Sequence, residues 1–168
     1  TGTLAISGTG EMYDWSWTYN YHDIIRTVTI EDDVTSIGSY AFSNCRSLTS
    51  ITIPDSVTSI GEGAFYSCPT LLWVVPGSFA QNYAKENRVP FATTDGAVSE
   101  IVDFGSCGDN LTWQLDWSGV LTITGTGRMN DAPWSDWNDG HSNRDLIRVV
   151  ELPNGLTSIC WGAFASCD

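Results

Sequence analysis

The stretch VTSIGSYAFSNC at 34–45 returns as VTSIGEGAFYSC at 57–68, and eight of the twelve positions are identical. It returns again as LTSICWGAFASC at 156–167, where the T-S-I, the A-F and the final Cys all hold. The first two copies start 23 residues apart, a period that belongs to stacked repeats rather than to a conventional globular core.

The same offset carries Ile25 to Leu48, Val28 to Ile51 and Ile30 to Ile53. Val28 with Ile30, and Ile51 with Ile53, alternate with polar residues at the period of two that marks a strand with one face inward. Pro54 and Pro153 follow the strands and end their pairing, because proline brings no N–H. Residues 57–60 supply a second short strand. Gly61 then turns a corner, and Ala64 and Phe65 are expected on one inward-facing helical turn. Phe42, Phe65 and Phe164 are expected to stack, and Cys45 and Cys68 to line up beside them. A unit this short cannot hide its apolar face alone, so each copy must cover its neighbour.

A larger repeat encloses the small one. GTLAISGTGEMYD at 2–14 matches GVLTITGTGRMND at 119–131, and IIRTVTI at 24–30 matches LIRVVEL at 146–152. The first pair is offset by 117 residues and the second by 122, so the second copy has a longer connecting loop. In that copy, Leu111–Leu115 and Val120–Ile123 alternate in polarity around Asp116-Trp-Ser-Gly119 and predict a two-stranded hairpin cap. In the first copy Leu4 and Ile6 lack such a partner strand, and their edge is expected to be filled by another chain or to fray. Between the copies, Ser78-Phe-Ala-Gln81 is a capping box that opens a helix over 78–87, which Pro90 ends.

The expected fold is mainly β with short helical turns: a leucine-rich-repeat-type solenoid with β-hairpin caps, in two tandem blocks. The first block is 1–91, with a hairpin end, repeats and a closing helix. Residues 92–103 form a connection holding a strand near 98–102, and 104–168 form the second block, a hairpin cap followed by truncated repeats.

These residues resemble the BspA-like (Treponema pallidum type) leucine-rich repeat family of bacterial surface proteins. The likeness rests on LTSITIPDSVTSIGEGAFYSC at 48–68 and on the closing segment GSFAQNYAKENRVPF at 77–91. The cap CGDNLTW with GVLTITGTGRM, over 107–129, is similar to the segment that precedes such repeats in long proteins of gut Firmicutes. Two places depart from the pattern: Cys160 and Trp161 replace a Gly-polar pair, and Arg88 and Val89 replace Gly-Ile. The resemblance implies secretion or wall attachment, contact with protein or glycan, and no reaction. Because the chain starts and stops inside repeats, an export signal or anchor is expected outside it.

Charge narrows the partners. Seven Lys and Arg against twenty Asp and Glu leave a net charge of −13, which repels phosphates and anionic headgroups. Nucleic acid and membrane insertion are therefore not expected, and no apolar run approaches the roughly 18 residues that span a bilayer.

Catalytic constellations are missing as well. The repeated serines Ser36, Ser59 and Ser158 recur because the scaffold recurs, and no His lies in the unit to activate them. His22 and His141 precede the second-coil strands, in loops. Asp14, Asp23, Asp131, Asp136, Asp139 and Asp145 have no spacing that fixes a glycosidase pair, and no D-x-D-x-D-G ladder for calcium. The G-T-G at 8–10 and 125–127 is followed by neither Lys nor helix, so it is a turn and not a phosphate loop. Five cysteines include no C-x-x-C and read as buried stacked side chains, with a Cys160–Cys167 bridge as the alternative. No catalytic residue, cofactor or metal is expected.

Two surfaces remain as candidates. Trp15, Trp17, Tyr19 and Tyr21 crowd one loop, and Trp134 and Trp137 echo it in the second copy. Such rings either seal the open end of a solenoid or present rigid amphipathic area to a ligand. The strand face, with Thr27, Thr29, Thr49 and Thr52 and with Arg26 and Arg148 nearby, is the other. The functional expectation is a non-catalytic extracellular adhesion module contacting host or neighbouring-cell proteins. Its alternatives are a carbohydrate-binding module working through the aromatic loops, a purely structural spacer, and self-association through the first strand or the truncated last repeat.

Overall fold

A computed structural model describes residues 2–12, 20–97, 100–135, 137–138 and 141–165, with backbone alone for 137–138 and 141–142. Trp15, Trp17, Tyr19 and Cys167, all singled out above, lie outside the described residues.

Each coil runs as strand, corner and strand. The chain passes through β1 (Thr3–Ile6), β2 (Gly10–Glu11), β3 (Thr27–Ile30), β4 (Val34–Ile37), β5 (Ser50–Ile53), β6 (Ser59–Ile60) and β7 (Leu71–Val74), then α1 (Phe79–Glu86) and β8 (Phe91–Thr93). The longer strands form one five-stranded sheet in the order β1-β3-β5-β7-β8, parallel throughout. The shorter ones form a three-stranded parallel sheet, β2-β4-β6. The 23-residue period sets the register: Val28 pairs Ile51, and Ser36 pairs Ser59.

Alternation decides what each strand buries. Val28, Ile30, Ile51, Ile53, Leu72 and Val74 are all inside, whereas Thr29 and Trp73 between them are exposed. Hydroxyls stitch one coil to the last. Thr49 Oγ1 donates to the Arg26 carbonyl (2.9 Å), Ser56 Oγ to that of Val34 (2.9 Å) and Thr58 Oγ1 to that of Thr35 (3.4 Å). Cys45 is buried, and the Cys68 thiol donates to its carbonyl at 3.5 Å.

The expected helical turn at Ala64 and Phe65 does not form. Residues 39–44 and 62–67 are successive turns, because each carries two left-handed residues at matching positions. These are Tyr40 (φ 55°) and Asn44 (φ 58°) in one coil, and Gly63 (φ 59°) and Ser67 (φ 51°) in the next. A left-handed residue breaks the helical ladder. Ala64 and Phe65 are still buried.

The helix falls at Phe79–Glu86 with Ser78 as its N-cap. The Gln81 N–H donates to Ser78 Oγ at 3.3 Å, while the Gln81 side chain accepts from the Gly77 N–H at 2.8 Å, one residue ahead of the usual capping-box partner. Ala80 and Ala84 face inward, so α1 closes its side of the sheet with small residues. β8 occupies Phe91–Thr93 as the fifth strand and runs from the end of the first block into the stretch read as a connection.

The chain forms two compact units, 1–98 and 99–168. The second opens with β9 (Ile101–Gly108), β10 (Leu111–Asp116) and β11 (Val120–Arg128), which are antiparallel neighbours. The expected two-stranded hairpin is therefore three-stranded, with β9 added on the far side of β10. Next come a 3-10 turn at Pro133–Ser135, the small pair β12 (Trp137–Asn138) and β13 (His141–Ser142), and a 3-10 turn at Asn143–Leu146. His141 thus lies in a strand and not in a loop. The unit ends with β14 (Val149–Glu151) and β15 (Gly155–Ser158), both parallel to β11.

The two units share one local register. Leu4 pairs Val28 in the first, and Leu121 pairs Val150 in the second. Gly10 pairs Val34 and Glu11 pairs Ser36 across an irregularity, and Gly127 pairs Leu156 and Arg128 pairs Ser158 across the same irregularity. Each of these pairs maps onto its counterpart through the offsets of 117 and 122 found in the sequence.

Candidate functional site

The outward face of the five-stranded sheet is the most continuous candidate surface in unit 1. One row runs Ala5, Thr29, Thr52, Trp73 and Ala92 from strand to strand, and a second runs Thr3, Thr27, Ser50 and Leu71. Flat parallel coils put these side chains at one strand spacing, about 4.8 Å. Thr29 is exposed, Thr52 half-buried, and Trp73, between Thr52 and Ala92 in the first row, is 39% exposed.

The four threonines expected here do not act as one set. Thr29 and Thr52 are direct neighbours in register. Thr27 lies in the other row, where its hydroxyl donates to Thr3 Oγ1 at 3.3 Å. Thr49, exposed, precedes β5, and its hydroxyl donates to the Arg26 carbonyl of the previous coil. Trp73, which the sequence reading did not single out, shares the row of Thr29 and Thr52.

At the C-terminal ends of these strands the face runs into a shallow groove of about 580 Å³, lined among others by Thr29, Thr52, Glu31, Asp32, Asp33 and Thr94. Beside it, the Asp95 carboxyl is held below its ordinary value by the Ala97 N–H (3.0 Å) and then by the Thr93 hydroxyl. The groove carries three carboxylates, Glu31, Asp32 and Asp33, beside the apolar Ile30, Ile53, Pro54 and Val75. Among the described residues no three His, Cys, Asp or Glu side chains are grouped to hold a metal, and no helix is long and apolar enough to cross a membrane.

Of the aromatic loops, Tyr21 is described and exposed. Trp134 is not a contact residue: it is fully buried and its Nε1–H donates to the Ala163 carbonyl at 2.8 Å. It stacks on Phe164 (5.7 Å between centroids, 13° between planes) and meets Trp113 edge-on at 5.7 Å. Phe164 therefore stacks on Trp134, while Phe42 and Phe65 stack on each other in the first unit. Trp137 is placed only as backbone in β12.

Burial, followed by the Asp23 carboxylate, pushes the Cys45 thiol up to about 11. Burial, then Cys160 and Asp131, raise that of Cys107. Both changes favour the neutral thiol, the opposite of what a nucleophilic cysteine needs.

Compared with known proteins, residues 16–82 match the BspA type leucine rich repeat region, in six copies. Among solved structures, a leucine-rich repeat protein from Eubacterium ventriosum is 18% identical, with a TM-score of 0.39. The match covers 97% of this chain and 58% of that one. No curated protein matches the sequence.

Proposed function

We propose that this protein, whose residues 16–82 carry BspA type leucine-rich repeats, is a non-catalytic extracellular recognition module that grips an extended protein partner with the outer face of its first sheet. Repeats of this type are typical of bacterial surface proteins, which supports a place outside the cell. The matching registers within the two units support reading each as a copy of one repeat block.

The observation that carries the reading is the row Thr29, Thr52, Trp73. Core demands explain none of the three, since alternation turns them away from the interior. An indole set between the short side chains of Thr52 and Ala92 gives rigid contact area with little rotamer entropy to lose on binding. The groove with Glu31, Asp32 and Asp33 borders that row and favours partners with positive charge at this end.

The test is capture of immobilised extracellular matrix proteins, followed by surface plasmon resonance. The triple variant Thr29→Ala, Thr52→Ala, Trp73→Ala is expected to lose at least about tenfold in affinity, the scale of one hot-spot residue. Capture undiminished by the triple variant overturns the assignment of this face.

A further inference from the structure

The turn that follows the long strand reads Pro54-Asp55-Ser56 in one coil and Pro153-Asn154-Gly155 in another, but Glu31-Asp32-Asp33 in the coil of β3. Three successive carboxylates repel one another. The scaffold does not require them, since those two other coils turn with one acid or with none. All three are exposed, and among the described residues no lysine, arginine or histidine pairs with any of them.

These carboxylates line one side of the groove of about 580 Å³ at the ends of the strands. Its floor is apolar: Ile30, Ile53 and Pro54 are buried there, and Val75 is half-buried. Thr29 and Thr52 line it as well, and Thr52 is the direct neighbour of Trp73, so the groove and the outward row are one continuous surface. The lining comes from successive strands of one parallel sheet, whose register fixes the spacing, so little has to be ordered when a partner arrives. Among the described residues no three carboxylates are grouped to hold a metal ion, so this side of the groove is not built as a chelate.

We infer that the groove receives a lysine or arginine side chain of an extended protein segment, its head among Glu31, Asp32 and Asp33, while a large apolar residue of that segment sits on Trp73. The inference rests on the sheet-face reading above and adds the chemistry of the partner. A long basic side chain fits both parts of the groove, its aliphatic stem covering Ile53, Pro54 and Val75 and its head donating to the carboxylates. An acidic segment would be repelled, and a small bare cation would leave the apolar floor uncovered. The register sets the spacing. Trp73 and Thr29 are two strands apart, which is about 9.6 Å at the usual strand separation. An extended chain crossing the coils rises about 3.3 Å per residue, so the basic residue lies about three positions from the apolar one. Glu31 stands two residues beyond Thr29, within reach of a basic side chain laid along that strand.

The test is binding of the whole chain to an array of decapeptides of Ser, Gly and Thr, each carrying one Trp or Leu and one Arg, Lys or Glu at separations of one to six residues. Basic peptides are expected to bind best at a separation of three. The variant Glu31→Gln, Asp32→Asn, Asp33→Asn is expected to weaken that binding at least about tenfold. A net charge of −13 attracts any basic peptide, so a control removes three exposed carboxylates outside the groove: Glu11→Gln, Asp55→Asn, Glu62→Gln. The control is expected to keep most of the binding. Equal losses in the two variants, equal binding of the Glu peptides, no dependence on separation, or an array without a bound peptide overturns the inference. Capture of matrix proteins that the Thr29, Thr52 and Trp73 variant loses and the groove variant keeps overturns the groove alone, whereas capture that both keep overturns the sheet-face reading with it.

Discussion

Phe42 and Phe65, 23 residues apart, lie face to face with ring centroids 5.6 Å apart and planes 5° from parallel. Tyr83 of α1 then meets Phe65 edge-on at 6.1 Å, so the ring column passes from coil to coil and ends on the helix. Phe42 is fully buried and Phe65 nearly so. Phe42→Ala or Phe65→Ala is expected to destabilise the first unit by about 3–5 kcal/mol. Phe65→Leu keeps most of the apolar area and is expected to cost clearly less. Urea unfolding followed by circular dichroism measures both, and a Phe65→Leu variant as stable as the unaltered chain would deny the ring contact a role.

Gly61 illustrates a close approach rather than a special dihedral. A Cβ there would sit 2.4 Å from the Ser39 backbone nitrogen and 2.7 Å from its Cα, and neither atom can swing away as a side chain would. The separation of adjacent coils is set at that corner. Gly61→Ala is expected to cost about 1–3 kcal/mol through overpacking. Gly96→Ala, with φ of 73° but open space around it, is expected to cost about 1 kcal/mol from backbone strain alone. Denaturant midpoints of the two variants, compared side by side, test the ordering.

The coils were legible because a 23-residue period with alternating Val and Ile leaves one face to bury, and register followed from the period. Other features depend on contacts that no local pattern carries. β9 holds the exposed Ile101 and Phe104, and its Gly105 faces Trp113 across the ladder, so its pairing is dictated by β10 and not by its own alternation. Leu71-Leu72-Trp73-Val74 reads as an unbroken apolar run, which hid the outward parity of Trp73. Trp134 reads the same as a binding ring or a core ring, because a lone indole in a loop says nothing about depth.

Trp134 is expected to behave as a core residue. Trp134→Phe removes the donor to the Ala163 carbonyl and leaves a buried acceptor unpaired, which is expected to cost about 1–3 kcal/mol. Trp134→Ala also removes the stack on Phe164 and is expected to cost about 3–5 kcal/mol. Differential scanning calorimetry reads both. A ring that served only to contact a ligand would leave the thermogram where it was.

Cys45 links burial to alkaline stability. Its thiol is raised from 9.0 to about 11 by burial and then by the Asp23 carboxylate. In the unfolded chain the thiol ionises near its ordinary value, so between the two values the unfolded state releases a proton that the folded state keeps. Its contribution to stability is therefore complete below pH 9 and is lost progressively as pH rises toward 11. Tyr83, raised in the same direction by burial, adds a similar dependence. The contribution of Cys45 is isolated by comparing the chain with Cys45→Ala in urea at pH 8, 9 and 10. The stability advantage of the unaltered chain over the variant is expected to shrink as pH rises, and a constant difference across that range would contradict the assignment. At pH 8 the native thiol is expected to resist iodoacetamide, and in urea to react with it, as mass spectrometry of the Cys45 peptide would register.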